Sequence, residues 1–195
     1  MDQSAAKDLI LAKLERELPA ARTYHSCAHT WDVYLTTIDI AAKEGIEGER
    51  LELLKTAALF HDSGFTEQDL EHEEGSCRIA RKELPVLGYS SPQVEYICRM
   101  IMATRVPQSP RDKLSRILCD ADLDYLGRFD FFRIGDELFK ELKAYGVLGT
   151  EREWHEIQLH FLQKHKFFTQ TNKRDREPQK QVHLERVKKW LEENT

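Results

Sequence analysis

At 195 residues the chain can close one good-sized hydrophobic core with short additions at its ends. Apolar residues at 41% and charged residues at 32% fit a soluble globular protein, and a net charge of -5 argues against nonspecific nucleic-acid binding over the whole surface. Nine glycines and six prolines are few for this length and favour long helices over many tight turns.

In chain order, Ser4 to Leu18 reads as a helix with Leu11, Leu14 and Leu18 at helical spacing, stopped by Pro19. Its acids do not fit the basic-then-apolar layout of a signal peptide. Ser26 is an N-cap candidate for a second helix that runs to about Glu44 and ends at Gly45. That helix carries two apolar stripes, Trp31–Leu35–Ile38–Ala42 and His29–Val33–Ile40, so it is expected to be largely buried. A third helix spans roughly Glu49 to Asp62 and ends at Ser63-Gly64, followed by an acidic loop, Phe65 to Glu71. Helices follow near His72 to Leu84 and Ser91 to Thr104, parted by Pro85 and Gly88, and Val106 to Arg111 is a loop with two prolines. Lys113 to Asp122 is helical, with Leu114, Ile117, Leu118 and Ala121 on one face. Further helices fit Phe129 to Ala144, Thr150 to Phe168 and Gln179 to Glu193, with Asn172 to Pro178 as a charged linker. Nothing reads as a strand. The expected organisation is one domain over 1–170, with 171–195 a charged linker and C-terminal helix packing on or extending from it.

Cys27, Cys77, Cys98 and Cys119 form no C-x-x-C pair and read as free thiols in a reducing compartment. No apolar run approaches the roughly 20 residues needed to span a bilayer. The expected location is the cytoplasm, with no membrane partner.

The residues that carry chemistry begin with His61-Asp62, which close the apolar run Ala57-Ala58-Leu59-Phe60. Both are costly to bury without partners, and a metal ion would satisfy both at once. Upstream, His25 and His29 stand four apart at a helix start, and His29 points inward with Val33 and Ile40. Downstream, in Asp120-Ala121-Asp122-Leu123-Asp124, Asp122 continues the apolar stripe from Leu118, whereas Asp120 points nearly opposite that residue. Asp124 also faces inward if the helix continues, and it is the reserve candidate.

The order His29, His61-Asp62, Asp122 resembles the HD superfamily of metal-dependent phosphohydrolases over roughly residues 22 to 130. Leu59-Phe60-His61-Asp62-Ser63-Gly64-Phe65 is similar to its second motif, His72-Glu73-Glu74-Gly75-Ser76 to the segment that follows it, and Asp120 to Gly127 to its final aspartate motif. The resemblance implies an all-α, compact multi-helix HD-domain bundle, here with a helical C-terminal extension, and a metal held by His29, His61, Asp62 and Asp122. The pattern Tyr24-His25-x-x-x-His29-x-x-x-Val33 also resembles class I cyclic-nucleotide phosphodiesterases, which implies His25 as general acid and His29 as ligand. The purine-clamping glutamine region of those enzymes is absent, so local geometry carries over and substrate does not.

Two imidazoles and two carboxylates suit divalent Mn, Fe, Co, Ni or Mg better than a structural zinc. Asp62 is the residue expected to touch both metal and attacking water, and His25 to protonate the leaving oxygen. His72 stands where binuclear members place another histidine, but Thr104-Arg105 occupy a later position where further ligands are expected, which favours one metal over two. Lys55 and Arg105 are candidates for substrate phosphate. The basic residues Lys166, Lys173, Arg174, Arg176 and Lys180 read chiefly as solvated surface, and Trp31, Trp154 and Trp190 as core or interface.

The expected function is hydrolysis of a phosphomonoester or phosphodiester in a nucleotide or other small phosphorylated molecule, with room for a homodimer. Guanosine tetraphosphate hydrolysis is less favoured, because no Glu-Asp pair follows His61-Asp62 within Ser63 to Asp69. Two other classes stand beside hydrolysis: a catalytically silent HD-type nucleotide-binding regulatory module, and a di-iron oxygenase-like HD protein, which needs additional histidines.

Overall fold

Every regular element of the computed structural model, which describes residues 1–194, is helical. The chain divides into two compact units. The first comprises Met1–Pro19 and His25–Asp122, and the second comprises Ala20–Tyr24 and the chain from Leu123 on.

The first unit contains α1 (Gln3–Glu17), α2 (Cys27–Lys43), α3 (Gly48–Phe60), α4 (His72–Glu83), α5 (Ser91–Ala103) and α6 (Lys113–Asp122). Helix α3 is its axis and packs on α1, α2, α5 and α6. Leu54, Ala57, Ala58, Leu59 and Phe60 are fully buried on it, covering all sides of its last two turns. Paired small residues let neighbouring helices close in, and a helix apolar all round must be central. The expected Ser26 cap forms, its side chain accepting from His29 N. Asp2 likewise accepts from Ala5 N, and Ser90 with Gln93 makes a reciprocal capping box for α5. The first of the two stripes expected on α2 is not buried, since Trp31 and Leu35 are exposed. The buried face runs through Thr30, Val33, Tyr34, Thr37, Ile40 and Ala41 instead. Threonines 30 and 37 count as polar by composition, yet they complete a face one helical step away from Trp31.

The second unit contains α7 (Phe131–Ala144), α8 (Glu151–Lys164), α9 (Gln170–Asp175) and α10 (Glu177–Glu193), with α10 packed on α8. It has its own core, centred on Leu126, Phe131, Leu162, Phe167 and Val187. Segment 20–24 joins it by a buried ion pair, Arg22 with Glu141 at 2.7 Å, and Glu141 also accepts from Tyr24 N at 2.9 Å. The segment expected to be a charged linker is helical: Thr169 caps α9, and Pro178 sits in the first turn of α10, where its missing N–H costs nothing. Two of the expected surface cations bond groups distant in sequence, and a third, Arg174, pairs with its neighbour Asp175 at 2.6 Å. Lys180 is buried and donates to the His165 carbonyl at 2.7 Å, and Arg176 pairs with Asp124 at 2.8 Å. No helix among the described residues is long and apolar enough to cross a membrane.

Candidate metal centre

The first unit brings the histidines and aspartates together at the C-terminal ends of α3 and α6 and the first turn of α2. His29 sits in that first turn, on the buried side of the helix. His61 and Asp62 follow the last turn of α3, and Asp62 leads into a 3-10 turn, Ser63–Thr66. Asp122 is the last residue of α6.

The four side chains converge. His29 Nε2 lies 3.4 Å from His61 Nε2, 3.3 Å from Asp122 Oδ1 and 3.4 Å from Asp62 Oδ2. His61 Nε2 lies 3.1 Å from Asp62 Oδ2 and 3.4 Å from Asp122 Oδ1. One ligand atom from each of His29, His61 and Asp122 lies within 4.8 Å of the others. Asp62 joins through the two imidazoles.

Whether these residues fit a metal ion is decided by hydrogen-bond chemistry. His61 Nδ1 is 2.8 Å from the Ala58 carbonyl, which can only accept, so Nδ1 carries the proton. In the neutral ring Nε2 then turns a bare lone pair toward two carboxylates and a second imidazole. Asp62 Oδ2 is buried and makes no hydrogen bond, even at 3.1 Å from that nitrogen. Lone pairs converging in this way are mutually repulsive unless a cation lies among them. The separations also suit one. Ligand atoms about 2.1 Å from a common ion stand about 3.0 to 3.4 Å apart when cis-octahedral or tetrahedral. The residues therefore fit a divalent ion.

Without an ion, protons do the compensating. Burial opposes charge on His29, but Asp122 and Asp62 beside it raise its pKa to about 8. His61 is raised well above its ordinary value against the same burial, chiefly by Asp62 and then Asp122. Burial pushes both carboxylates up, yet the imidazoles hold Asp62 well below the usual range and Asp122 at about 2.

Of the remaining candidates, His72 opens α4 with Nε2 at 3.4 Å from Asp62 Oδ1 and 3.5 Å from Glu73 Oε1. His25 lies just before the Ser26 cap, its ring 4.3 Å from Phe65 and 6.2 Å from His72, centre to centre. Arg105 reaches the border of the cluster through Glu73, with Nε 3.2 Å from that carboxylate, and also pairs with Glu74 at 3.2 Å. Lys55 differs from the expectation. Its ammonium pairs with Glu52 at 3.0 Å, toward the opposite end of α3 from His61. Asp124, the reserve ligand, is taken in the second unit by Arg176 at 2.8 Å and Asn172 Nδ2 at 2.9 Å. Asp120, expected to point away from the core, is fully buried on α6.

Four supporting residues did not emerge as site residues from the sequence. Phe65 stacks on His72 at 3.9 Å. Ser76 Oγ donates to the His61 carbonyl at 2.7 Å and accepts from Gly64 N at 2.8 Å, which locks the turn after Asp62. Glu73 is buried between His72 and Arg105. Gln108 Nε2 donates to the Cys119 carbonyl at 3.1 Å and lies 3.5 Å from Asp122 Oδ2. Phe65, Ser76 and Glu73 lie within the motif segments of the sequence, but Gln108 sits in a loop without a pattern.

Helices alone, carrying a buried cluster of two imidazoles and two carboxylates with no cysteine among them, define a helical metal-site protein. The chain belongs to the HD domain family, a family of metal-dependent hydrolases, whose model matches residues 27–124. It is similar in fold to a crystal structure described as a predicted HD superfamily hydrolase, from an uncultured Thermotogales bacterium. The TM-score is 0.61 at 23% identity, over 96% of this chain and 92% of that one. No curated protein matches.

Proposed function

We propose that the chain is a phosphohydrolase acting on a phosphomonoester or phosphodiester of a nucleotide or other small phosphorylated molecule in the cytoplasm. The observation that carries this reading is Asp62. One of its oxygens sits against the two imidazoles without a hydrogen bond, and the other faces His72 at 3.4 Å. A carboxylate shared in this way serves both an ion and a neighbouring water.

In this reading His29, His61, Asp62 and Asp122 hold one divalent ion, of Mn, Fe, Co, Ni or Mg character. When bound, it supplies Lewis acidity to a phosphoryl oxygen and lowers the pKa of water. Asp62 accepts the proton of the attacking water. His25, half-buried and held against Phe65, donates a proton to the leaving oxygen. Arg105 is the candidate for the substrate phosphate, and Glu73 and Glu74 hold its guanidinium until an anion competes for it. The Glu52 pair of Lys55 assigns it no such role.

The test has two parts. Metal content of protein purified without chelators should approach one ion per chain and be lost in Asp62→Ala. The loaded protein should hydrolyse p-nitrophenyl phosphate, bis(p-nitrophenyl) phosphate or a nucleoside phosphate, and His25→Ala should slow turnover while keeping the ion. A loaded protein inert toward all three would favour a regulatory binding module.

A further inference from the structure

The first unit holds a cavity of about 290 Å³ between α4, α5 and the start of α6. It is separate from the metal centre. Ser115 on its wall precedes Asp122 by roughly 10 Å along α6, and Arg81 follows His72 by roughly 13 Å along α4, at about 1.5 Å per residue. The volume is at the small end of ligand cavities, which run from roughly 300 to 1,000 Å³.

Its walls combine an apolar surface, from Cys98, Met102 and Ala103, with three arginines and two acids. The charges are not equivalent. Arg81 donates to both oxygens of Glu95, at 2.7 and 2.8 Å. Asp112 accepts from Ser115 N at 2.9 Å and Ser115 Oγ at 3.1 Å, capping α6. Arg99 and Arg111 are different: both are exposed, and neither has an ion pair among the described residues. The Arg99 guanidinium carbon lies 5.1 Å from the centre of the Tyr96 ring. Two uncommitted guanidinium forks beside an apolar wall match an oxyanion carried on an apolar body.

We propose that this cavity is a second ligand site, for a small molecule bearing a phosphate or carboxylate on an apolar body. Arg99 and Arg111 take the anion, and Met102 and Cys98 receive the body. The site does not depend on the proposed hydrolysis. Its wall does reach the metal centre: the 104–112 loop that carries Arg111 also carries Arg105 to Glu73 and Gln108 to within 3.5 Å of Asp122. That placement makes the expected ligand an effector rather than a second substrate.

The experiment is a calorimetric titration with phenylphosphonate, which is not hydrolysed, in the Asp62→Ala background so that the metal centre does not contribute. Saturable binding is expected, weakened at least tenfold by Arg99→Gln with Arg111→Gln. Thermal melting checks that the pair of exposed substitutions leaves the fold intact. On the ligand side, inorganic phosphate and benzyl alcohol, which lack the body and the anion respectively, should each bind at least tenfold more weakly. No saturable phenylphosphonate binding at millimolar concentration, equal binding after the arginine substitutions, or equal binding of benzyl alcohol would each overturn the proposal.

Discussion

Asp122 and Asp124 stand two positions apart at the end of one amphipathic run, and what surrounds each decides its role. Asp122 meets His29 and His61, whereas Asp124 meets Arg176 and Asn172. Asp122→Asn should therefore weaken metal binding by at least about tenfold and also lower the melting of the metal-free protein at neutral pH, because it removes a carboxylate paired with His29 and His61. Asp124→Asn should keep the ion and lose about 1 to 3 kcal/mol of stability in chemical denaturation, the cost of leaving a partner unsatisfied. A second expectation concerns protons. Metal ligation needs neutral imidazoles, and the metal-free cluster holds His29 at about 8 and His61 well above its ordinary value. Metal uptake at pH 7 should thus release about one proton or more per ion, falling toward none well above pH 8. Calorimetry in buffers of different ionisation enthalpy measures this directly, and pH-independent uptake without proton release would contradict it. At this scale the sequence was informative wherever burial follows from helical phase, as for His29, His61 and Asp122. It was silent where a long side chain chooses its partner, because Lys55 could reach either end of its helix and Arg105 meets Glu73 across 32 residues.

The element that matters most is the turn from α3 into α4. Gly64 is needed there for space: a Cβ would lie 1.9 Å from the His72 carbonyl oxygen and 2.7 Å from Ser76 N. Both are backbone atoms and cannot swing aside. Gly64→Ala must push the first turn of α4 outward, moving His72 from Asp62 and breaking the Ser76 bridge to His61. Overpacking of this kind costs about 1 to 3 kcal/mol. The expected result is a lower unfolding midpoint together with slower turnover, and unchanged melting would contradict the close approach. Just before α4, Glu71 adopts φ 54° and ψ 40°, the left-handed region that disfavours a side chain. Glu71→Gly should be neutral or stabilising by up to about 1 kcal/mol. The existence of the longer helices was legible from spacing, with most ends shifted by a residue or two and that of α8 by four, since it stops at Lys164 and not at Phe168. What escaped was which stripe of α2 is buried, because Thr30 and Thr37 hide an apolar environment behind polar names, and α9, because a six-residue helix is too short to show a period.

For the chain as a whole, composition suggested one core with a solvated basic end, and the C-terminal part instead organises a core of its own. The reason is physical. Lys180 lays its stem in that core and satisfies its ammonium on the His165 carbonyl and on Glu177 at 2.9 Å, so a basic residue need not mean surface. His183 is the more consequential case. It is buried, stacked on Phe131 at 4.6 Å, and its Nε2 donates to the Arg128 carbonyl at 2.8 Å, which leaves Nδ1 buried without a hydrogen-bond partner. Burial lowers its pKa below the ordinary value. A neutral buried imidazole makes the unfolded chain bind more protons than the folded one below about pH 6.5. Its contribution to stability is thus complete above that pH and is lost as pH falls through it toward the lowered folded value. The metal-centre histidines have the opposite sign in the metal-free protein, so the comparison must hold the metal state fixed. Thermal midpoints of wild type and His183→Gln, both measured from about pH 7 down to 5, should diverge in slope, the wild type falling more steeply as the buried ring is driven to charge. Parallel slopes would mean that the second core tolerates the imidazolium and that another group governs its acid unfolding.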